Sequence, residues 1–197
     1  MCRGYSSERH WSFFRHLFAR PEIGTCLVLG VYYGRDMAYM SAILELTGRR
    51  AEIVGVDKFD DTPGEDWPSE LRQSTWREAG FGPPPDIESA RENLSRLGFT
   101  SHIQLHRGRA EDYLGAASRA FDFVYIDTSH DYATTRRLID LAVPRLKRGG
   151  LIGGDDFSDQ GTWGVASAVQ ESFSRFEVFS GWIWLARGDD YRPVSPA

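Results

Sequence analysis

The sequence has only two cysteines, Cys2 and Cys26, too few for a disulfide framework or a thiolate zinc site. Lysine is as scarce: Lys58 and Lys147 are the only two among 23 basic residues, which leaves 21 arginines. Positive charge is not in excess, since 23 basic against 28 acidic residues gives a net charge of −5. That balance argues against a general nucleic-acid or anionic-membrane partner. No apolar run approaches the roughly 20 residues of a membrane span. Arg3, Glu8, Arg9 and Arg15 deny the N-terminal region the apolar middle of a signal peptide, so a cytoplasmic protein is expected. Repeats and low-complexity tracts are absent as well. What is present is 197 residues with 41% hydrophobic and 13% aromatic content, enough for one sizeable core. The expectation is a single domain over residues 1–197.

Short apolar runs alternate with longer amphipathic stretches. The runs are Cys26–Leu29, Ile53–Val56, His102–Leu105, Phe121–Ile126 and Leu151–Gly153. Several end on Gly or Asp, as strands feeding loops do. Between them lie helical candidates at about 35–48, 86–98, 109–117, 131–147 and 161–174. Gly149-Gly150 is the expected stop of the fourth. A further helix at 6–20 opens the chain, and Pro21 and Gly24 mark its exit. Such alternation predicts an α/β fold, a parallel sheet with helices on both faces. The runs Phe176–Phe179 and Trp182–Ala186, parted by Ser180-Gly181, read as an antiparallel hairpin at the sheet edge. Residues 58–86 are too long and too rich in Pro and Gly for a plain connection, and a lid-like insertion is expected there.

Doubly wound sheets bind ligands beyond the carboxyl ends of their strands. The first strand ends in Gly30-Val31-Tyr32-Tyr33-Gly34, whose G-x-x-x-G spacing differs from the dinucleotide fingerprint G-x-G-x-x-G. The second ends in Asp57, placed to accept hydrogen bonds from ribose hydroxyls or to cap a loop. The third leads into Gly108-Arg109-Ala110-Glu111. The fourth delivers Asp127 and His130, the fifth Asp155-Asp156, and adjacent strands would gather them on one rim. Burying so much negative charge is costly without a cation, and oxygen ligands suit Mg²⁺, Mn²⁺ or Ca²⁺. His130 would either face a substrate hydroxyl there as a general base or serve as a loop or cap residue. His10, His16, His102 and His106 lack such a setting and read as structural.

VLGVYYGRD, VGVDKF, DFVYIDTSHDYATTRRLIDLAVPRLKRGGLIGGDDF and GVASAVQESF resemble class I S-adenosylmethionine-dependent methyltransferases. They are most similar to the metal-dependent branch that includes macrolide sugar O-methyltransferases, over roughly residues 23–187. The resemblance implies a Rossmann-like, doubly wound seven-stranded sheet, mostly parallel with an antiparallel C-terminal hairpin. It implies that S-adenosylmethionine is held by Gly30, Tyr33 and Gly34 at the first turn, Asp57 and Lys58 at the ribose, Arg109 and Ala110 at the adenine, and Asp127. It further implies Mg²⁺ on Asp127, Asp155 and Asp156, with His130 deprotonating a small hydroxylated acceptor, a sugar or a phenol. Relatives often carry an acid where this chain has Val28. Asp36 is the candidate to meet the cofactor ammonium instead, or to cap the helix. Trp67 and Trp76 would stack on the acceptor or fold over the site, and aromatics near Trp11, Phe13 and Phe14 leave room for a homodimer contact.

Two other classes compete. A Rossmann-type NAD(P) oxidoreductase would share the first turn and Asp57, but it leaves the carboxylate rim unexplained and no Tyr-x-x-x-Lys pair exists. A non-catalytic or repurposed methyltransferase fold would bind cofactor without methylating any hydroxyl.

Overall fold

The computed structural model describes residues 5–62, 67, 74–80 and 82–193. Those parts of the 58–86 insertion expected as a lid that fall at 63–66, 68–73 and 81 lie outside the described residues. The order of elements is α1 (Glu8–Phe18), β1 (Thr25–Leu29), α2 (Arg35–Leu46), β2 (Glu52–Asp57), α3 (Ile87–Arg96), β3 (Ile103–Arg107), α4 (Ala110–Ala116), β4 (Phe121–Ile126), α5 (Tyr132–Ala142), β5 (Leu146–Gly154), α6 (Val165–Ser172), β6 (Phe176–Phe179) and β7 (Ile183–Arg187). The seven strands form one sheet in the order β3-β2-β1-β4-β5-β7-β6, parallel except for β7 against β5 and β6. Among the described residues no helix is long and apolar enough to cross a membrane.

Residues of the central strands β1, β2 and β4 are largely apolar on both faces, as a sheet covered on both sides requires. Cys26, Val28, Ile53, Phe123 and Tyr125 pack with α1, α2 and α3, while Leu27, Leu29, Val54, Val124 and Ile126 pack with α4, α5 and α6. In α1 the buried stripe is His10, Phe13, Phe14, Leu17 and Phe18, spaced as one face of a helix. Phe13 and Phe14, expected near an exposed dimer face, are therefore core residues, and Trp11 packs edge-on against Tyr39 at 5.6 Å.

The sheet is also fastened away from its ligand edge. Asp122 Oδ2 accepts the N–H groups of Gly24 (3.0 Å) and Thr25 (2.8 Å), the Thr25 hydroxyl (2.8 Å) and Lys147 Nζ (2.9 Å). One carboxylate thus ties the starts of β1, β4 and β5. Burial acts to raise its pKa, but Lys147, Thr25 and Gly24 outweigh it and hold it below the usual carboxylate range.

One boundary differs from expectation. The helix at 131–147 stops at Ala142 and tightens into a 3₁₀ turn over Val143–Arg145. Pro144 lacks an N–H and its ring crowds the preceding turn, so the α-helix ends before the glycines. Gly149-Gly150 instead lie inside β5, beside the register shift between Phe121 and Phe123.

Candidate active site

Hydrogen bonding continues one step past the strands. Asp127 N–H donates to Leu29 O (2.8 Å), Gly30 N–H to Val56 O (2.9 Å), Gly108 N–H to Asp57 O (2.9 Å) and Asp155 N–H to Ile126 O (3.2 Å). This draws the expected residues along one edge, at the reversal of strand order between β1 and β4 where doubly wound sheets bind ligands. A cleft of about 710 Å³ opens there. Gly30, Asp36, Asp57, Lys58, Arg109, Ala110, Asp127, His130, Asp155 and Asp156 all line it. Tyr33 and Gly34 are not in its wall: the Tyr33 hydroxyl donates to the Pro83 (2.9 Å) and Pro84 (3.2 Å) carbonyls, and Gly34 caps α2.

The β1–α2 turn is built on Asp57 and Gly30. Asp57 Oδ2 accepts the Val31 and Tyr32 N–H groups, both at 2.8 Å, and Oδ1 accepts the Phe59 N–H at 2.8 Å. These bonds hold Tyr32 at φ +52°, a costly conformation for a non-glycine residue. Gly30 has φ +91°, and a Cβ there would overlap the Asp127 carbonyl, so the β1 and β4 ends approach as only glycine allows. A carboxylate accepts about four hydrogen bonds. Three are taken, so Asp57 has room for about one ribose hydroxyl rather than two.

Asp36, in the first turn of α2, is buried, and its Oδ1 has no hydrogen-bond partner. Burial and the charge of Asp127 push its pKa up to about 7, against the lowering pull of His10 and Ser6. The helix cap falls to Gly34, which leaves Asp36 facing the cleft. Val28 is sealed in the core.

Asp127, His130 and Asp156 each offer a ligand atom within 4.8 Å of the others. His130 Nε2 lies 2.8 Å from Asp156 Oδ2 and 3.7 Å from Asp127 Oδ1. Asp156 reaches this position from φ +56°. The His130 carbonyl accepts the Gly164 N–H at 2.8 Å, which pins the loop to the start of α6. Burial raises the Asp127 pKa; His130 opposes this, and the charges of Asp155 and Asp156 add to it. Asp155 lines the same cleft but lies outside this 4.8 Å group. Its Oδ2 takes a 2.6 Å hydrogen bond from His10 Nε2, while its buried Oδ1 has no partner. His10, expected to be structural, is thus part of the site. The nearest sequence signal is its place three residues after Ser7, whose N–H it caps at 3.0 Å. Burial pulls the His10 pKa down, but Asp155, Asp36 and Asp127 outweigh it and leave it raised.

Aromatic residues close both ends of the cleft. Trp163 lies 4.9 Å from the His130 ring and 6.0 Å from Trp182, whose face carries the Arg9 guanidinium at 5.6 Å. At the opposite end Tyr5 stacks on Tyr32 and Tyr32 on Trp76, each at 5.5 Å, and Trp67 meets Trp76 edge-on at 5.5 Å. Trp67 and Trp76 therefore fasten the described part of the insertion to the β1–α2 turn.

A family profile described as a methyltransferase domain matches residues 27–157. The chain belongs to this methyltransferase family. The matched span runs from β1 to just past Asp156, so it takes in the whole ligand edge. This is a class I S-adenosylmethionine-dependent methyltransferase, and the oxidoreductase reading gives way to it. No curated protein matches the sequence. Among solved structures the methyltransferase is similar to the O-methyltransferase NovP, at 17% identity and TM-score 0.70 over 91% of this chain and 79% of NovP. It is similar to the calicheamicin methyltransferase CalS11, at 19% identity and TM-score 0.64 over 90% of this chain and 77% of that one. It also resembles the SAH-bound Podospora anserina methyltransferase PaMTH1, at 15% identity and TM-score 0.63 over 96% and 80%. At these identities the likeness is one of fold.

Proposed function

We propose that the methyltransferase transfers the methyl group of S-adenosylmethionine to a hydroxyl of a small molecule, a sugar or phenolic metabolite, with help from a divalent cation such as Mg²⁺. The observation that carries this reading is the gathering of Asp127, His130 and Asp156 within 4.8 Å at the ligand edge. The donor set fits a hard cation: carboxylate oxygens dominate it, and Asp127 is buried with the charges of Asp155 and Asp156 close by. Asp127 and Asp156 would hold the cation, which when bound lowers the pKa of a coordinated hydroxyl. His130, beside both carboxylates, takes the acceptor proton. The cofactor lies along the rest of the edge, with Asp57, Lys58, Arg109 and Ala110 at the adenosine end and Gly30 and Asp36 at the methionine end. Asp36 supplies the carboxylate that Val28 does not. The acceptor rests against Trp163 and Trp182, which flank His130 and narrow the water space around the reacting oxygen.

The test is release of S-adenosylhomocysteine with a panel of sugars and phenols, in Mg²⁺ and in chelator. His130→Ala is expected to lower kcat by about 10²–10⁴-fold, the range for loss of a general base. Asp156→Ala is expected to abolish the Mg²⁺ response. Full turnover in chelator would refute the cation, and an unaltered rate in His130→Ala would refute the base.

A further inference from the structure

The cleft contains a second histidine–carboxylate contact. His10 Nε2 and Asp155 Oδ2 are 2.6 Å apart, with side chains only 5% and 12% exposed. They are 145 residues apart in sequence, one on α1 and the other just past β5. Both ring nitrogens are committed. Nδ1 accepts the Ser7 N–H at 3.0 Å, so the proton of the neutral ring sits on Nε2 and is donated to Asp155. A histidine occupied at both nitrogens cannot take a proton from a substrate. What it can do is fix a carboxylate. Asp155 Oδ2 is spoken for, and its buried Oδ1 is left without a partner. Asp155 directly precedes Asp156 in the chain and lines the same cleft as Asp127 and Asp156.

We propose that His10 is a positioning residue: it holds Asp155 by Oδ2 so that Oδ1 is the oxygen offered to the divalent cation beside Asp127 and Asp156. The inference rests on the cation-assisted reading. It gives α1 a role beyond covering the sheet, because other contacts seat the same segment against the cofactor end. Arg35 Nη1 donates to Ser6 O at 2.9 Å, and Tyr5 stacks on Tyr32. The start of α1 thereby spans the cleft from the β1–α2 turn to the end of β5, and cation binding is coupled to its order. Hydrogen-bonded partners behind a metal-bound carboxylate matter for affinity, typically 10–100-fold on removal.

The experiment titrates Mn²⁺ into the wild-type protein, His10→Gln, His10→Asn and His10→Ala, by calorimetry and by the shift in Tm. Stabilisation by S-adenosylmethionine is measured alongside as a check on the fold and cofactor site. Glutamine places its amide nitrogen near the position of Nε2 and can still donate to Asp155; asparagine mimics Nδ1 and falls short. The expected result is Mn²⁺ affinity within about threefold of wild type in His10→Gln and at least about tenfold weaker in His10→Asn and His10→Ala, with the cofactor shift retained in all three. Should His10→Ala fail to fold, the glutamine and asparagine pair carries the comparison. Wild-type Mn²⁺ affinity in His10→Asn would overturn the proposal and leave the cation reading standing. A wild-type protein that is stabilised by S-adenosylmethionine yet indifferent to Mn²⁺ would overturn both.

Discussion

Asp36 is a buried carboxyl that faces the cleft, and burial there costs stability. Its carboxyl is buried with one oxygen unpartnered, and its pKa is raised to about 7 from an ordinary 3.8. A carboxyl whose pKa is higher folded than unfolded binds more protons in the native state between those values. Its penalty is therefore nearly absent around pH 4, grows as pH rises and is complete above about pH 7. Asp36→Asn is expected to stabilise the ligand-free protein at pH 8 by about 1–3 kcal/mol, with the gain fading toward pH 4. The same substitution is expected to weaken S-adenosylmethionine binding at least about tenfold, since a paired buried charge is lost. Melting curves at pH 5 and pH 8, with and without cofactor, check both halves; a variant less stable at pH 8 would contradict the account of Asp36. Asp36 itself was legible as a candidate because it follows the glycine turn and the acid expected at Val28 is missing. His10 was not, since its partner lies 145 residues away and only the packing of α1 brings them together.

At the level of elements, alternation of apolar and polar runs made every strand and helix readable, because a two-faced sheet demands apolar residues on both sides of each central strand. The reading slipped where local chemistry overrode the pattern. Pro144 ended α5 ahead of the glycine pair expected to stop it, and Gly149-Gly150 went into the irregular start of β5. The insertion at 58–86 gave composition but no periodicity, so its attachments, through Trp76 and Trp67 to Tyr32 and through the Pro83 and Pro84 carbonyls to Tyr33, emerge from the structure alone. Where the strands begin, Asp122 joins β1, β4 and β5 through four bonds to one oxygen. Asp122→Ala is expected to cost about 1–3 kcal/mol, because half-buried donors at Gly24 and Thr25 lose a charged partner. As the Asp122 pKa is lowered in the folded state, that contribution is present above about pH 4 and disappears as pH falls through the folded value. Urea midpoints at pH 7 and pH 3 measure it: a gap between wild type and Asp122→Ala that is large at pH 7 and small at pH 3 is expected, and equal midpoints at pH 7 would contradict the fastening role.

For the whole molecule, the family match spans β1 to just past Asp156, and the carboxylates expected as the site lie along the ligand edge of that span. The expected adjacency of the β4 and β5 ends, together with the family resemblance, grouped Asp127, Asp155 and Asp156. The fold sets Asp127 and Asp156 beside His130 and turns Asp155 toward His10, a distinction of side-chain direction that spacing does not encode. Two binding events in one cleft therefore define the account, a sulfonium cofactor along β1–β3 and a cation at β4–β5. Thermal unfolding with S-adenosylmethionine, with its demethylated product and with NADH, each in Mg²⁺ and in chelator, tests both at once. A ligand at 100 times its Kd adds about 2.7 kcal/mol. The expected result is a shift of that order with S-adenosylmethionine, a further rise with Mg²⁺, and none with NADH. Stabilisation by NADH alone, or by neither S-adenosylmethionine nor its product, would contradict it.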